Sequence, residues 1–135
     1  MYSAPRNGRE ATPHWVAARQ GVLRLPFCSV TGKPIWPPSS AASNVGGSLE
    51  WRDCPGGGTV ASFSIVRRPV QPEWNDKAPY VVAMIDLDVG VRILSNIVDC
   101  DAESVRIGAR VRCMFVETTN PELGLPVFRL DDATA

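Results

Sequence analysis

The chain has 135 residues, enough for one domain with a full core and too few for two independent ones. Apolar residues at 44% and charged residues at 21% are ordinary globular values and exclude a disordered or fibrous protein. Fourteen basic residues balance 14 acidic ones, so the basic excess of a nucleic-acid-binding protein is missing, and no apolar run approaches the ~20 residues of a membrane span. Within that balance, residues 1–38 hold Arg6, Arg9, Arg19, Arg24 and Lys33 against Glu10 alone, while acids outnumber arginines from Asp99 onward.

The polar stretch 1–10 lacks the apolar segment of a secretory signal, which leads us to expect a soluble, cytoplasmic protein. A helix follows over 12–20, with Thr12 as N-cap, Pro13 at the first helical position, Gly21 as the stop and Trp15 as an apolar anchor. Residues 22–27 read as a short strand. Pro34, Pro37 and Pro38 then stop regular structure, and 39–48 is a small-residue loop. A return strand at 49–52 ends at Cys54-Pro55, and Gly56-Gly57-Gly58 lets the backbone bend into the next element.

Strands and turns account for the rest. Residues 59–68 alternate, with Ala61, Phe63 and Ile65 on one face and Ser62 and Ser64 on the other. A proline-rich loop spans 69–79, a β-branched run 80–87 follows, and Asp88-Val89-Gly90 turns the chain into a strand at 91–98. Asp101 caps a helical turn over 102–106 that Gly108 closes. Residues 110–118 alternate again, with Val111, Cys113 and Phe115 facing one way. A loop at 121–126 and a last strand at 127–130 complete the chain. Five strands, one short helix between the third and fourth, and no βαβ spacing predict a mainly β protein built on a five-stranded OB-fold barrel. A small sandwich is the competing architecture.

Little of this is chemistry. The single histidine, His14, lies outside the expected barrel, where capping or a surface contact is its expected role, and no Gly-flanked serine elbow is present. Asp86 and Asp88 precede a glycine and read as turn chemistry. The glycine triplet lacks the lysine and helix of a phosphate loop. Cys28, Cys54, Cys100 and Cys113 have no paired spacing, so no disulfide framework is expected. Cys28-x-x-Thr31-Gly32 has the outline of a zinc knuckle without its second ligand, and Ser40-x-x-Ser43 lies where a second knuckle would sit.

Taken together, a tryptophan-bearing helix, Gly21-Val22-Leu23, Phe27-Cys28-x-x-Thr31-Gly32, Pro37-Pro38, Gly58-Thr59-Val60-Ala61-Ser62-Phe63, Ala78-Pro79-Tyr80, Ile107-Gly108 and Leu125-Pro126-Val127-Phe128-Arg129 resemble one family. It is the zinc-ribbon plus OB-fold family associated with acyl-CoA enzymes, long catalogued as a domain of unknown function. The resemblance implies an N-terminal helical arm over 1–22, a degenerate rubredoxin-like zinc ribbon over 23–53, an OB-fold over 54–130 and a tail over 131–135. The family's four ligand cysteines match Cys28, Thr31, Ser40 and Ser43 here. Zinc is therefore not expected, and Phe27, Ile35, Trp36 and Trp51 are expected to supply an apolar substitute core.

The resemblance further implies a non-catalytic accessory subunit of a thiolase-superfamily enzyme acting on acyl-CoA thioesters, such as a thiolase or a steroid side-chain retro-aldolase, in a hetero-oligomer. An acyltransferase complex of the aromatic polyketide type is the alternative. Trp15, Trp36, Pro37 and Pro38 are the expected partner interface; Arg67, Arg68, Trp74 and Lys77 are candidates for contact with the CoA moiety. A nucleic-acid-binding OB-fold is disfavoured because Phe63, Phe115 and Phe128 fall on core faces instead of a stacking surface. A stand-alone acyl-CoA enzyme is disfavoured by the lack of a paired base and nucleophile.

Overall fold

A computed structural model describes residues 2–5, 9–38, 46–69 and 71–131. Helix α1 runs Thr12–Arg19 behind a single 3-10 turn. Its N-cap is Ala11, so Thr12 is already helical, one residue ahead of the sequence expectation. His14, Ala17 and Ala18 form its buried face. The two alanines let the C-terminal half of the helix lie close to the sheet beneath it.

Strand β1 (Arg24–Cys28) pairs antiparallel with β2 (Leu49–Asp53) from Arg24↔Asp53 to Cys28↔Leu49. Phe27 and Trp36 pack against the barrel's hydrophobic cluster, which gathers Leu25, Val60, Val81, Ile85, Val111 and Phe128 among others.

The barrel comprises β3 (Gly57–Val66), β4 (Tyr80–Leu87), β5 (Arg92–Ile97), β6 (Arg110–Glu117) and β7 (Gly124–Leu130) in the closed order β3-β4-β5-β7-β6. Pairs are antiparallel except β5 with β7, which run parallel and meet in register only at Ile97↔Phe128. This is the OB-fold topology expected from the strand count.

Three local differences from the sequence reading have physical causes. Ala61 is the extra residue of a β-bulge between Val60 and Ser62 on β3. The bulge reverses the alternation, so Val60 is buried on one side of it and Phe63 and Ile65 face the core on the other. Strand β7 starts at Gly124, inside the stretch read as a loop. Pro126 is tolerated because its carbonyl, and so its missing N–H, faces β5, where Ser95 Oγ donates to that carbonyl at 2.8 Å and the β5–β7 pairing, confined to Ile97↔Phe128, does not reach it. The turn after Asp101 spans only Ala102–Ser104: Asp101 caps it by accepting from Glu103 N, but Val105 turns extended and is fully buried in the core.

Gly124 sets the distance between α1 and the barrel. A Cβ there would lie 2.6 Å from Arg19 N and 2.8 Å from Ala18 C, so only glycine lets the helix sit directly on β7. At the other end of the barrel a Cβ on Gly56 would lie 2.5 Å from Cys113 Cβ. A Cβ on Gly58 would lie 2.9 Å from the Asp86 carbonyl oxygen, so the glycines serve close approach to both β6 and β4 more than bending. No helix among the described residues is long and apolar enough to cross a membrane.

Candidate functional site

Three surface features carry the chemistry-bearing residues. The first is the turn that follows β1. Cys28 Sγ accepts from Thr31 N at 3.4 Å and Gly32 N donates to the Cys28 carbonyl at 2.8 Å, which is the outline of a metal knuckle. The Thr31 hydrogen bonds hold the Cys28 thiol below its ordinary pKa. Thr31 nevertheless offers a neutral hydroxyl where zinc favours thiolate, Ser40 and Ser43 lie outside the described residues, and no cluster of three or more His, Cys, Asp or Glu side chains forms among the described ones. The donors present do not fit zinc.

The second is a cleft of about 290 Å³ at one end of β4 and β5. Trp74, on a 3-10 segment Pro72–Lys77, packs on Tyr80 with ring centroids 4.7 Å apart and edge-on to Tyr2 at 5.7 Å. Lys77 Nζ stands 5.0 Å from the Tyr2 ring and 5.5 Å from the Trp74 ring, with 16% of its side chain exposed and Asp76 at 3.5 Å. Burial and the nearby Asp99 carboxylate raise the Tyr2 phenol above its ordinary pKa. Tyr2 is held in the cleft wall by a bridge to Thr118 and by Thr119 N, which donates to its carbonyl. Of the four residues singled out for CoA, Trp74 and Lys77 meet here. Arg67 instead pairs with Glu103, and Arg68 is exposed after β3.

The third is a groove of about 100 Å³ where α1, the segment around Trp36 and the β5–β7 seam meet. His14 was expected at a cap or on the surface; it is 2% exposed. Its Nδ1–H donates to the Arg24 carbonyl at 2.9 Å, and its ring packs 4.5 Å from both Trp15 and Trp36. Desolvation holds it below its ordinary pKa, so it is a neutral packing residue. Trp36 is half-buried against it instead of projecting into solvent, and Pro37 alone of the Trp-Pro-Pro run is exposed. The Trp15 indole N–H is buried without an acceptor among the described residues.

Asp86 and Asp88, read from the sequence as turn chemistry, point to different arginines. Asp86 accepts from Arg92 at 2.6 and 3.1 Å; Asp88 accepts from Arg110 at 2.8 and 2.7 Å. Each arginine holds its carboxylate below the usual range, so both stay ionised. Burial pushes the Cys113 thiol up to about 12, which leaves it an inert core residue. Sequence reasoning missed Tyr2, Tyr80 and Leu94. Leu94 had a signal: it interrupts the outward, polar side of a strand whose Ile93 and Ile97 point inward.

Comparison with known proteins finds relatives of the chain as a whole. Residues 51–116 match the family model described as the ChsH2 C-terminal OB-fold domain. A DUF35 domain-containing scaffold protein of Methanothermobacter thermautotrophicus is 44% identical over 69 residues, 51% of each chain. A probable enoyl-CoA hydratase alpha subunit of Thermomonospora curvata is 32% identical over 127 residues, covering 93% of this chain and 39% of that one. The chain thus spans about half the length, or less, of these curated relatives. Among solved structures, a chain of an Ltp2-ChsH2(DUF35) aldolase superposes with a TM-score of 0.81 at 30% identity, over 93% of this chain and 98% of that one. With fold, order of elements and sequence in agreement along almost the whole of that chain, the protein belongs to the DUF35 family of OB-fold proteins.

Proposed function

We propose that the chain is a non-catalytic accessory subunit that docks on a thiolase-superfamily enzyme acting on acyl-CoA thioesters, in a hetero-oligomer. The observation that carries this reading is the near-complete match to one chain of an aldolase whose name joins Ltp2 to a DUF35 protein. Relatives named as scaffold proteins and as hydratase alpha subunits support it from the sequence side. The chain's own chemistry agrees: His14 is committed to packing, Asp86 and Asp88 to arginines, and Cys113 to the core. C–C bond cleavage in a retro-aldolase is the partner reaction that the aldolase match favours.

In this reading residues 1–22 form an arm, 23–53 a ribbon that folds without zinc, 54–130 the barrel and 131–135 a tail. Trp15, Trp36, Pro37 and Pro38 face the enzyme. Trp74 and Lys77 line a cleft suited to the CoA moiety, with Arg67 and Arg68 close by in sequence as phosphate contacts. All four cysteines stand as free thiols, which suits work in the cytoplasm. The test is co-expression with thiolase-like subunits of the same genome. Co-elution with one of them, and thioester turnover by the pair but not by this chain, is expected. Turnover by the isolated chain, or failure of every such subunit to co-elute, overturns the proposal.

A further inference from the structure

The groove beside α1 has properties that select its occupant. Its lining, which includes Trp15, Trp36, Leu94, Leu125 and Pro126, contains no Asp, Glu, Lys or Arg. Leu94 stands at its lip, 65% exposed, opposite the half-buried Met84 on β4. Asp86 on β4 and Arg92 on β5, beside Met84 and Leu94 in the strands, are paired with each other. The polar side chains in the wall are engaged as well: Ser95 Oγ donates to the Pro126 carbonyl and Asn96 Nδ2 to the Val81 carbonyl at 2.9 Å. Among the described residues one donor of the lining is left without an acceptor, the buried Trp15 indole N–H. A buried N–H without an acceptor is rare in a finished structure.

We infer that this groove is the socket for one aliphatic or phenyl side chain carried on a projecting segment of the enzyme subunit, with a neighbouring backbone carbonyl taking the Trp15 N–H. This inference rests on the accessory-subunit reading and specifies where the enzyme docks. The volume is about that of a single such side chain, and the walls are the residue types that anchor protein interfaces. A nucleic acid or an anionic surface finds no cation in the lining. The socket also straddles the β5–β7 seam, where one register pair closes the barrel, so an occupant braces Ile93–Asn96 of β5 against Leu125–Val127 of β7.

The experiment uses the full chain and the co-eluting thiolase-like subunit. Leu94→Asp is expected to weaken binding at least about 30-fold by titration, whereas Ile107→Asp, an equally exposed residue outside the groove, leaves it within about twofold. Melting of both variants with wild-type cooperativity verifies their folding. Benzoylphenylalanine in place of Leu94 is expected to crosslink to the enzyme subunit, and amide exchange at residues 93–96 to slow on binding. If the wild type binds the enzyme but Leu94→Asp binds equally well, the socket is overturned and the accessory reading stands. A crosslink between two copies of the 14.6 kDa chain, or none while binding persists, also overturns it. If the wild type binds no such enzyme, the accessory reading itself has failed.

Discussion

Replacing Gly124 with alanine tests the seating of α1 on the barrel with a single methyl group. The new Cβ would lie 2.6 Å from Arg19 N, 2.8 Å from Ala18 C and 2.8 Å from Arg19 Cα. All three are backbone atoms of a helix, so no side chain can swing aside, and α1 must retreat as a body by several tenths of an ångström. Overpacking of this kind costs about 1–3 kcal/mol. For a domain of this size that is a fall in Tm of roughly 4–15 °C. The retreat would also loosen the His14 ring from the Trp36 face, now 4.5 Å away, and should alter the near-ultraviolet circular dichroism. Ser62→Ala, on the exposed face of β3, is the control and should stay within about 0.5 kcal/mol. A Gly124→Ala protein that melts with the wild type and keeps its aromatic spectrum would refute the close contact between α1 and β7.

Other expectations follow from the same contacts. Because burial depresses the His14 pKa below its ordinary value of 6.5, the unfolded chain binds that proton more readily. Stability is therefore full above pH 6.5 and falls as pH drops toward the depressed folded value; urea melts at pH 7.5 and 5.5 should show the loss, and His14→Gln should flatten it. The Asp86 and Asp88 pairs titrate below the ordinary 3.8 and leave that window untouched. If the proposed acyl-CoA contact holds, Trp74→Ala and Lys77→Gln should raise the KM of the proposed complex for an acyl-CoA about tenfold without dissociating it, as steady-state kinetics and gel filtration will read. Elemental analysis of the purified chain should find far less than one zinc per molecule, and a chelator should leave its Tm unchanged.

Local physics made the strands legible. The alternation in β6, the hairpin at Asp88–Gly90 and the Asp101 cap each involve groups a few residues apart, and each formed as the sequence predicts. What escaped depended on meetings of distant segments. Ala61 continues an unbroken apolar alternation, so nothing in the chain marks it as the bulge. The burial of His14 requires the Trp36 ring from beyond β1. Arg67 is drawn to Glu103, 36 residues on, and Tyr2 joins Trp74 only because the N-terminal segment bridges to Thr118. The early start of β7 was hidden by Pro126, whose missing N–H is harmless on the side that the β5–β7 pairing does not reach.

The mutual neutralisation of Asp86 with Arg92 and Asp88 with Arg110 on the barrel surface bears on how quickly a complex can assemble. With a formal net charge of zero and these charges answered within the chain, this face of the barrel offers little long-range steering to a partner. Encounter should proceed at the unsteered rate of about 10⁵–10⁶ M⁻¹s⁻¹ and change little with ionic strength. Persistence of such an assembly then rests on slow dissociation, and a subunit of this kind is better suited to permanent residence than to rapid exchange between enzymes.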